Sequence, residues 1–294
     1  MTAMEVVLLG TGSPMPSPNR CGAGQVVSDG SARVLVDCGW GVARRIYAAG
    51  MLPSMIDTLC FTHMHSDHIT DTADFIIMRW TGGATKPLTV YGPEGTRATM
   101  DGFMAALKLD IGYRLAHHGE KLSVPGATVD VIEVPATAEA SPVATVGELA
   151  IEAFEVDHFP VVPALGFRFR RGGRTVVFSG DTTACPTLAA ASKEADVLVC
   201  EAMNTDMMRA NIERLRAVNP TTAGLLQDAI DYHSPVSDIA KLARDAGVKK
   251  LVLSHLIPAV PDEGPLAEQF VAGMSDIFSG ELVLGRDLMR LDVG

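Results

Sequence analysis

The chain has 294 residues, 47% of them hydrophobic, and a formal charge of −11 at pH 7. That length and apolar share allow a sizeable core, and no run approaches the ~18 apolar residues of a membrane-spanning helix. The acidic balance argues against broad electrostatic binding to nucleic acid or anionic membranes. Five cysteines, an odd number without Cys-x-x-Cys spacing, and the lack of a cationic start with an apolar core point to reduced thiols in a cytoplasmic, soluble protein with no membrane contact.

In chain order, the first informative segment is Asp57-Thr58-Leu59-Cys60-Phe61-Thr62, a short apolar run suited to a buried strand. It leads into His63-Met64-His65-Ser66-Asp67-His68, where three imidazoles and a carboxylate share six residues. Folding alone does not require such a density of metal ligands. In an extended continuation His63 and His65 point to the same side. Ile69 to Trp80, with Phe75, Ile76, Ile77 and Met78, reads as a helix, which puts Asp67 and His68 at the turn into it. Residues 79–130 form a candidate loop and helix region over the site. Trp80, Phe103, Tyr113, His117 and His118 are its candidate substrate contacts, although packed aromatics and solvated histidines are the favoured reading. Ala136 to Thr145, rich in Ala, Pro and Thr, reads as a loop rather than a linker.

Three later apolar runs each end on a group that can bind a metal. Ile151 to Asp157 leads to His158, Thr175 to Gly180 leads to Asp181, and Lys250 to Ser254 leads to His255. Imidazole and carboxylate suit zinc and other first-row divalent ions, and strand ends on one rim of a sheet can gather them. Between these, Arg170-Arg171-Gly172-Gly173-Arg174 reads as a hairpin turn, and the apolar run Val197 to Val199 leads to Glu201. In Tyr232-His233-Ser234-Pro235, Ser234 suits an N-cap and Pro235 a first helical turn. The helix is expected to run to about Ala246, with Gly247 as its stop.

These motifs, in this order, resemble the metallo-β-lactamase-fold hydrolases, in the branch that holds the tRNA 3′-processing endonucleases (RNase Z-like) and the zinc-dependent arylsulfatase-like enzymes. The resemblance covers nearly the whole chain. It begins at Leu9-Gly10-Thr11-Gly12-Ser13-Pro14, includes Leu35-Val36-Asp37-Cys38-Gly39, and runs to Leu253-Ser254-His255. It implies an α/β fold, an αββα sandwich of two packed mixed sheets flanked by helices. Because the candidate ligands run from His63 to His255, a single domain over 1–294 is expected. The resemblance further implies one metal held by His63, His65, His158 and Asp181. The second would be held by Asp67, His68, His255 and a bridging Asp181. The cofactors expected are two divalent ions, zinc foremost, with Mn2+ or Fe2+ as alternatives. Paired ions can share a hydroxide that serves as nucleophile. Asp67 would orient it, and His233 would protonate the leaving oxygen. A charged imidazole before a helix N-terminus needs a carboxylate partner, for which Glu201 is the candidate.

No Gly-x-Ser-x-Gly elbow, Walker-type loop or Cys-x-Pro-x-Arg motif offers another chemistry. tRNA-processing relatives usually carry a long arm between the ligands matching His158 and Asp181. Here only a strand, a Gly-Gly turn and a second strand lie between them. Together with the acidic charge, this makes a hydrolase of small sulfate esters or phosphodiesters the leading expectation. The expected partner is a small anionic ester, nucleic acid is disfavoured, and a homodimer is open. The alternatives are a tRNA 3′-end endoribonuclease, which would need a basic groove, and a lactone or β-lactam hydrolase. A diiron oxidoreductase is less favoured, since such relatives typically have Glu where His65 stands. A non-catalytic metal-binding protein is weaker still.

Overall fold

The computed structural model describes residues 4–294. Among them the chain forms β1 (Glu5–Gly10), β2 (Gly24–Ser28), β3 (Arg33–Val36), β4 (Thr58–Cys60), β5 (Leu88–Gly92), β6 (Val129–Glu133) and β7 (Ser141–Val146). It continues with β8 (Leu149–Glu155), β9 (Leu165–Arg171), β10 (Arg174–Phe178), β11 (Val197–Met203), β12 (Lys250–Ile257), β13 (Glu281–Leu284) and β14 (Arg290–Asp292). Two seven-stranded sheets result, ordered β14-β1-β2-β3-β4-β5-β6 and β13-β12-β11-β10-β9-β8-β7. Both are mixed. β3 to β6 run parallel, as do β10 to β13, and the other pairs are antiparallel.

The period-two alternation of a strand explains the layering. In β1, Val6 and Leu8 face the second sheet and join Phe167, Phe169, Val176, Val199 and Val252 in the central core. Val7 and Leu9 face outward and pack with Val42 and Ile46 of the helix Val42–Ala48 and with Phe75 and Ile76 of the helix Thr72–Thr81. The second sheet repeats this. Val177, Leu198, Cys200 and Leu251 face outward against Leu188 of the helix Pro186–Ala191 and Ile239 and Ala243 of the helix Val236–Asp245. Strands covered on both faces must be apolar on both, which is why they read as continuous hydrophobic runs. The expected αββα sandwich of two mixed sheets is therefore what forms.

Several local expectations need adjusting. A short helix Ser66–Ile69 contains Asp67 and His68, and a second helix Thr72–Thr81 follows, in place of one helix from Ile69. Ala136 to Thr145 is not all loop, since Ser141 to Thr145 lie in β7. Residues 79–130 contain β5, the start of β6 and a helix Thr96–His118, so part of that stretch belongs to the first sheet. Trp80 is fully buried with its indole N–H donating to the Ser123 carbonyl at 2.7 Å, and Phe103 packs against the first sheet's outer core. Tyr113, His117 and His118 are exposed. The Arg170 to Arg174 segment is the tight β9–β10 hairpin, with Gly172 and Gly173 both at positive φ. No helix among the described residues is long and apolar enough to cross a membrane.

Candidate metal centre

Short strands deliver the polar groups to one rim of the sandwich. β4 ends at Cys60, and three residues later the His63 imidazole enters the rim, fully buried. β8 and β10 end shortly before His158 and Asp181. His255 lies within β12, at φ 46, where the pairing with β11 shifts register between Glu201 and Ala202. A bulge of this kind re-aims one side chain, and here it turns an imidazole toward Asp67 and Asp181. The first and second sheets both contribute, so the cleft lies where their edges meet.

The donors converge closely. Single donor atoms from His63, His65, His158 and Asp181 all lie within 4.8 Å of one another, and the same holds for Asp67, His68 and His255. His63 Nε2 and His158 Nε2 lie 3.1 Å and 3.4 Å from His65 Nδ1. Zinc with nitrogen ligands at about 2.0–2.1 Å in tetrahedral geometry sets those nitrogens about 3.3–3.4 Å apart, so the spacing fits a shared ion. His255 Nε2 sits 3.1 Å from Asp67 Oδ2 and 3.2 Å from Asp181 Oδ2. His68 Nε2 and Asp181 Oδ1 approach to 3.3 Å, yet both are buried without a hydrogen-bond partner. Two buried orphan atoms facing one another are costly unless something else satisfies both, and a divalent cation would.

The electrostatics agree with this. Burial holds the His63 and His65 imidazoles below their ordinary range, and pulls His158 down to about 4. All three are therefore neutral at pH 7, the form that binds a metal. Burial pushes the Asp181 carboxyl up, but His255, His68 and His63 around it carry it well below the usual carboxylate range. His68 differs: burial acts downward, but Asp181, Asp37 and Asp67 outweigh it and raise the imidazole well above its ordinary range.

Behind the donors stands a shell of hydrogen bonds. His68 Nδ1 binds Asp37 Oδ2 at 2.8 Å, and the same carboxylate accepts the Thr62 N–H and hydroxyl, each at 2.8 Å. This fixes the His68 ring so that Nε2 faces Asp181. Asp37 was not among the sequence candidates for the site, although it too ends an apolar run. His158 Nδ1 binds the Tyr232 carbonyl at 3.1 Å, which frees Nε2. Glycine lets the chain close in behind the ligands, for a Cβ at Gly39 would fall 1.9 Å from the Asp67 carbonyl oxygen.

His233 stands at the edge of this set, in ring contact with His158 and His255. Its Nδ1 lies 3.0 Å from both Glu201 oxygens, and Glu201 is fully enclosed. Glu201 is held in turn by the Thr182 N–H at 2.5 Å, and its own N–H donates to Ser179 Oγ at 3.0 Å. Burial acts against a proton on His233, and the Glu201 carboxylate outweighs it and raises the imidazole above its ordinary range. Ser234 does not cap the following helix as expected. Its hydroxyl donates to the Thr182 carbonyl at 2.6 Å, while the helix starts at Val236 without a side-chain cap. The tie to Thr182 clamps the His233 loop to the Asp181 loop. Trp80, Phe103, Tyr113, His117 and His118 are not among the residues gathered here.

Residues 32–256 match the family described as beta-lactamase superfamily domain. The chain belongs to that superfamily, in its metallo-β-lactamase-fold form, and its class is that of metal-dependent hydrolases. Ribonuclease Z of Mycobacterium avium (strain 104) is 40% identical over 293 residues, covering 99% of this chain and 98% of its own. Ribonuclease Z of Mycobacterium bovis (strain BCG / Pasteur 1173P2) is 36% identical over 294 residues at the same coverage. Among solved structures, the human tRNase Z short form superposes with a TM-score of 0.71 at 21% identity, covering 99% of this chain and 100% of its own. The Bacillus subtilis metallo-β-lactamase fold protein YhfI reaches 0.71 at 20% identity, with 99% of both chains covered.

These relatives correct two expectations. A small sulfate ester or phosphodiester as substrate, and nucleic acid as a disfavoured partner, give way to full-length relatives named ribonuclease Z at 36–40% identity. The missing arm was a true observation with the wrong consequence. An alignment of 293 residues spanning 99% of this chain and 98% of the relative leaves no room in the relative for a long arm either. Net charge averages over a whole surface, whereas a polynucleotide would touch only part of it. An arylsulfatase-like activity finds no support among these relatives.

Proposed function

We propose that this chain is a zinc-dependent endoribonuclease that processes the 3′ end of precursor tRNA by hydrolysing one phosphodiester. In this reading His63, His65, His158 and Asp181 hold one ion, Asp67, His68 and His255 the other, and Asp181 serves both. The chain acts as one domain, because neither sheet carries a full ligand set. Bound divalent ions would acidify a water and draw charge from a phosphoryl oxygen. The chain supplies the rest. Asp67, beside His255, orients the attacking water and takes up its proton. Asp37 and the Tyr232 carbonyl hold the ligand rings in place, and burial keeps competing solvent away. His233, with Nδ1 bound to Glu201, presents Nε2 to the oxygen that departs.

The observation that carries this reading is the buried His233–Glu201 pair at the edge of the donor set. A ribose oxygen is a poor leaving group and needs a proton as the P–O bond breaks. The full-length relatives named ribonuclease Z supply the choice of RNA as substrate. The test is cleavage of a precursor tRNA by protein of measured zinc content. Specific cleavage at the 3′ side, abolished by chelation and restored by zinc, is expected. Intact precursor after incubation with protein holding two ions per chain would overturn the reading.

A further inference from the structure

Beside His233 lies a cavity of about 390 Å3 that the roles above do not use. Its walls are Met208, Leu225, Leu226, Ile257 and Tyr232, with Met15 at its mouth. Most of these residues come from three separate parts of the chain: the loop after β1, the helices Thr205–Arg216 and Pro220–Ala229, and the end of β12. Met15 is 47% exposed and Leu225 is 63% exposed, so apolar surface stays open to solvent at the rim. A larger depression of about 740 Å3, between the helices Pro186–Ala191 and Val236–Asp245, contains none of the candidate ligands and is edged by Lys193, Asp238, Lys241 and Arg244.

We propose that the smaller cavity is the subsite for the nucleobase of the nucleoside that carries the leaving oxygen. The inference rests on the phosphodiester-cleaving reading above and adds a direction to it. Of the candidate site residues, only His233 lines this cavity. The proton donor faces the leaving oxygen, so the group attached to that oxygen emerges on the side of His233. There it meets an apolar pocket within the 300–1,000 Å3 range of small-molecule sites. Tyr232 offers a ring face for stacking, which tolerates any base because every base has a π-face. Two methionines let the walls adapt to purine or pyrimidine. Asn211 supplies an amide on the wall, its Oδ1 accepting from Arg214. A substrate lacking the base on this side loses that contact, and a side chain that fills the cavity removes it equally.

The experiment compares precursor tRNA that is intact with precursor tRNA abasic at the nucleotide on either side of the cleaved phosphate. Wild type and Leu226→Trp are assayed at matched zinc content. Wild type is expected to lose about tenfold in kcat/KM when the base is missing on the leaving-oxygen side, and little when it is missing on the other. Leu226→Trp should lose a similar factor on the intact substrate and be indifferent to the abasic site. Equal rates for variant and wild type, losses that multiply, or a loss confined to the opposite side would overturn the proposal. If zinc-loaded wild type leaves precursor tRNA intact, the tRNA reading itself falls. The cavity is then judged on bis(4-nitrophenyl) phosphate, where a raised KM in Leu226→Trp supports an aromatic leaving-group subsite and an unchanged KM rejects it.

Discussion

At the scale of single residues, the proposed ligand set separates into donors that would serve one ion and the one, Asp181, that would serve two. Asp181 contacts His63, His68 and His255 within 4 Å, so Asp181→Ala is expected to lower bound metal below one ion per chain and to stop turnover. Metal analysis alongside the rate checks this, and full activity would remove Asp181 from the ligand set. His65 touches only the His63 and His158 side, and His65→Ala should keep one ion while losing activity. Asp37→Asn should weaken metal binding about 10–100-fold through the freed His68 ring, readable by competition with a chromophoric chelator. His233→Ala is expected to keep both ions and slow RNA cleavage by roughly 10²–10⁴-fold. The loss should be much smaller with a 4-nitrophenyl phosphodiester, whose leaving oxygen needs no proton. Equal losses on both substrates would deny it the donor role. The ligand residues stood out in the sequence because His63 to His68 is improbable as packing. Asp37 and Ser234 did not, since a carboxylate or hydroxyl that hydrogen-bonds behind a site has no spacing of its own.

Between elements, the turn joining β2 to β3 shows how the two sheets are tied. Asp29 is 3% exposed. It accepts the Ser31 and Ala32 N–H groups of its own turn, at 2.8 and 2.6 Å, and the Glu148 N–H of the β7–β8 turn in the other sheet, at 2.8 Å. Burial raises its carboxyl, but these donors outweigh that and hold it well below the carboxylate range. A depressed folded value gives stability that is complete above the unfolded pKa of about 3.9 and is lost as pH falls through the folded one. Asp29→Ala should therefore cost about 1–3 kcal/mol at pH 7, and less in strong acid, as denaturant titrations at both pH values will show. No difference between the two would contradict the linkage. The strands that carry this architecture were legible because both faces are covered. β7 was not, since Ala, Pro and Thr between Ala136 and Thr145 give no apolar run, and its edge position is set by pairing with β8 alone.

For the whole molecule, the proposed RNA substrate raises the question of how a chain of charge −11 would take a polyanion. The most basic run, Arg168 to Arg174, cannot be the main grip. Its arginines pair with Glu152, Glu148 and Asp196, and the β9–β10 turn lies at the opposite end of β10 from Asp181. Replacing Arg170 by Glu should leave the KM for precursor tRNA within about twofold, which steady-state assays can check against the ~10-fold steps expected of phosphate contacts. The RNA substrate proposed above is hidden from composition for the same reason. A small number of local contacts and the two proposed cations would not show in a sum over the chain.

The metal-binding rim draws on both sheets, and that has a temporal side. With the proposed donors, the first half of the chain brings His63, His65, Asp67 and His68, while Asp181 and His255 come much later in the order of synthesis. A growing chain thus holds half a clasp until His255 has been added. Ions that bind only the closed form then stabilise the folded protein by an amount that rises with the logarithm of their concentration. On the reading proposed above, RNA cleavage waits on that closure, since Asp67 and His68 meet His255 only in the folded chain.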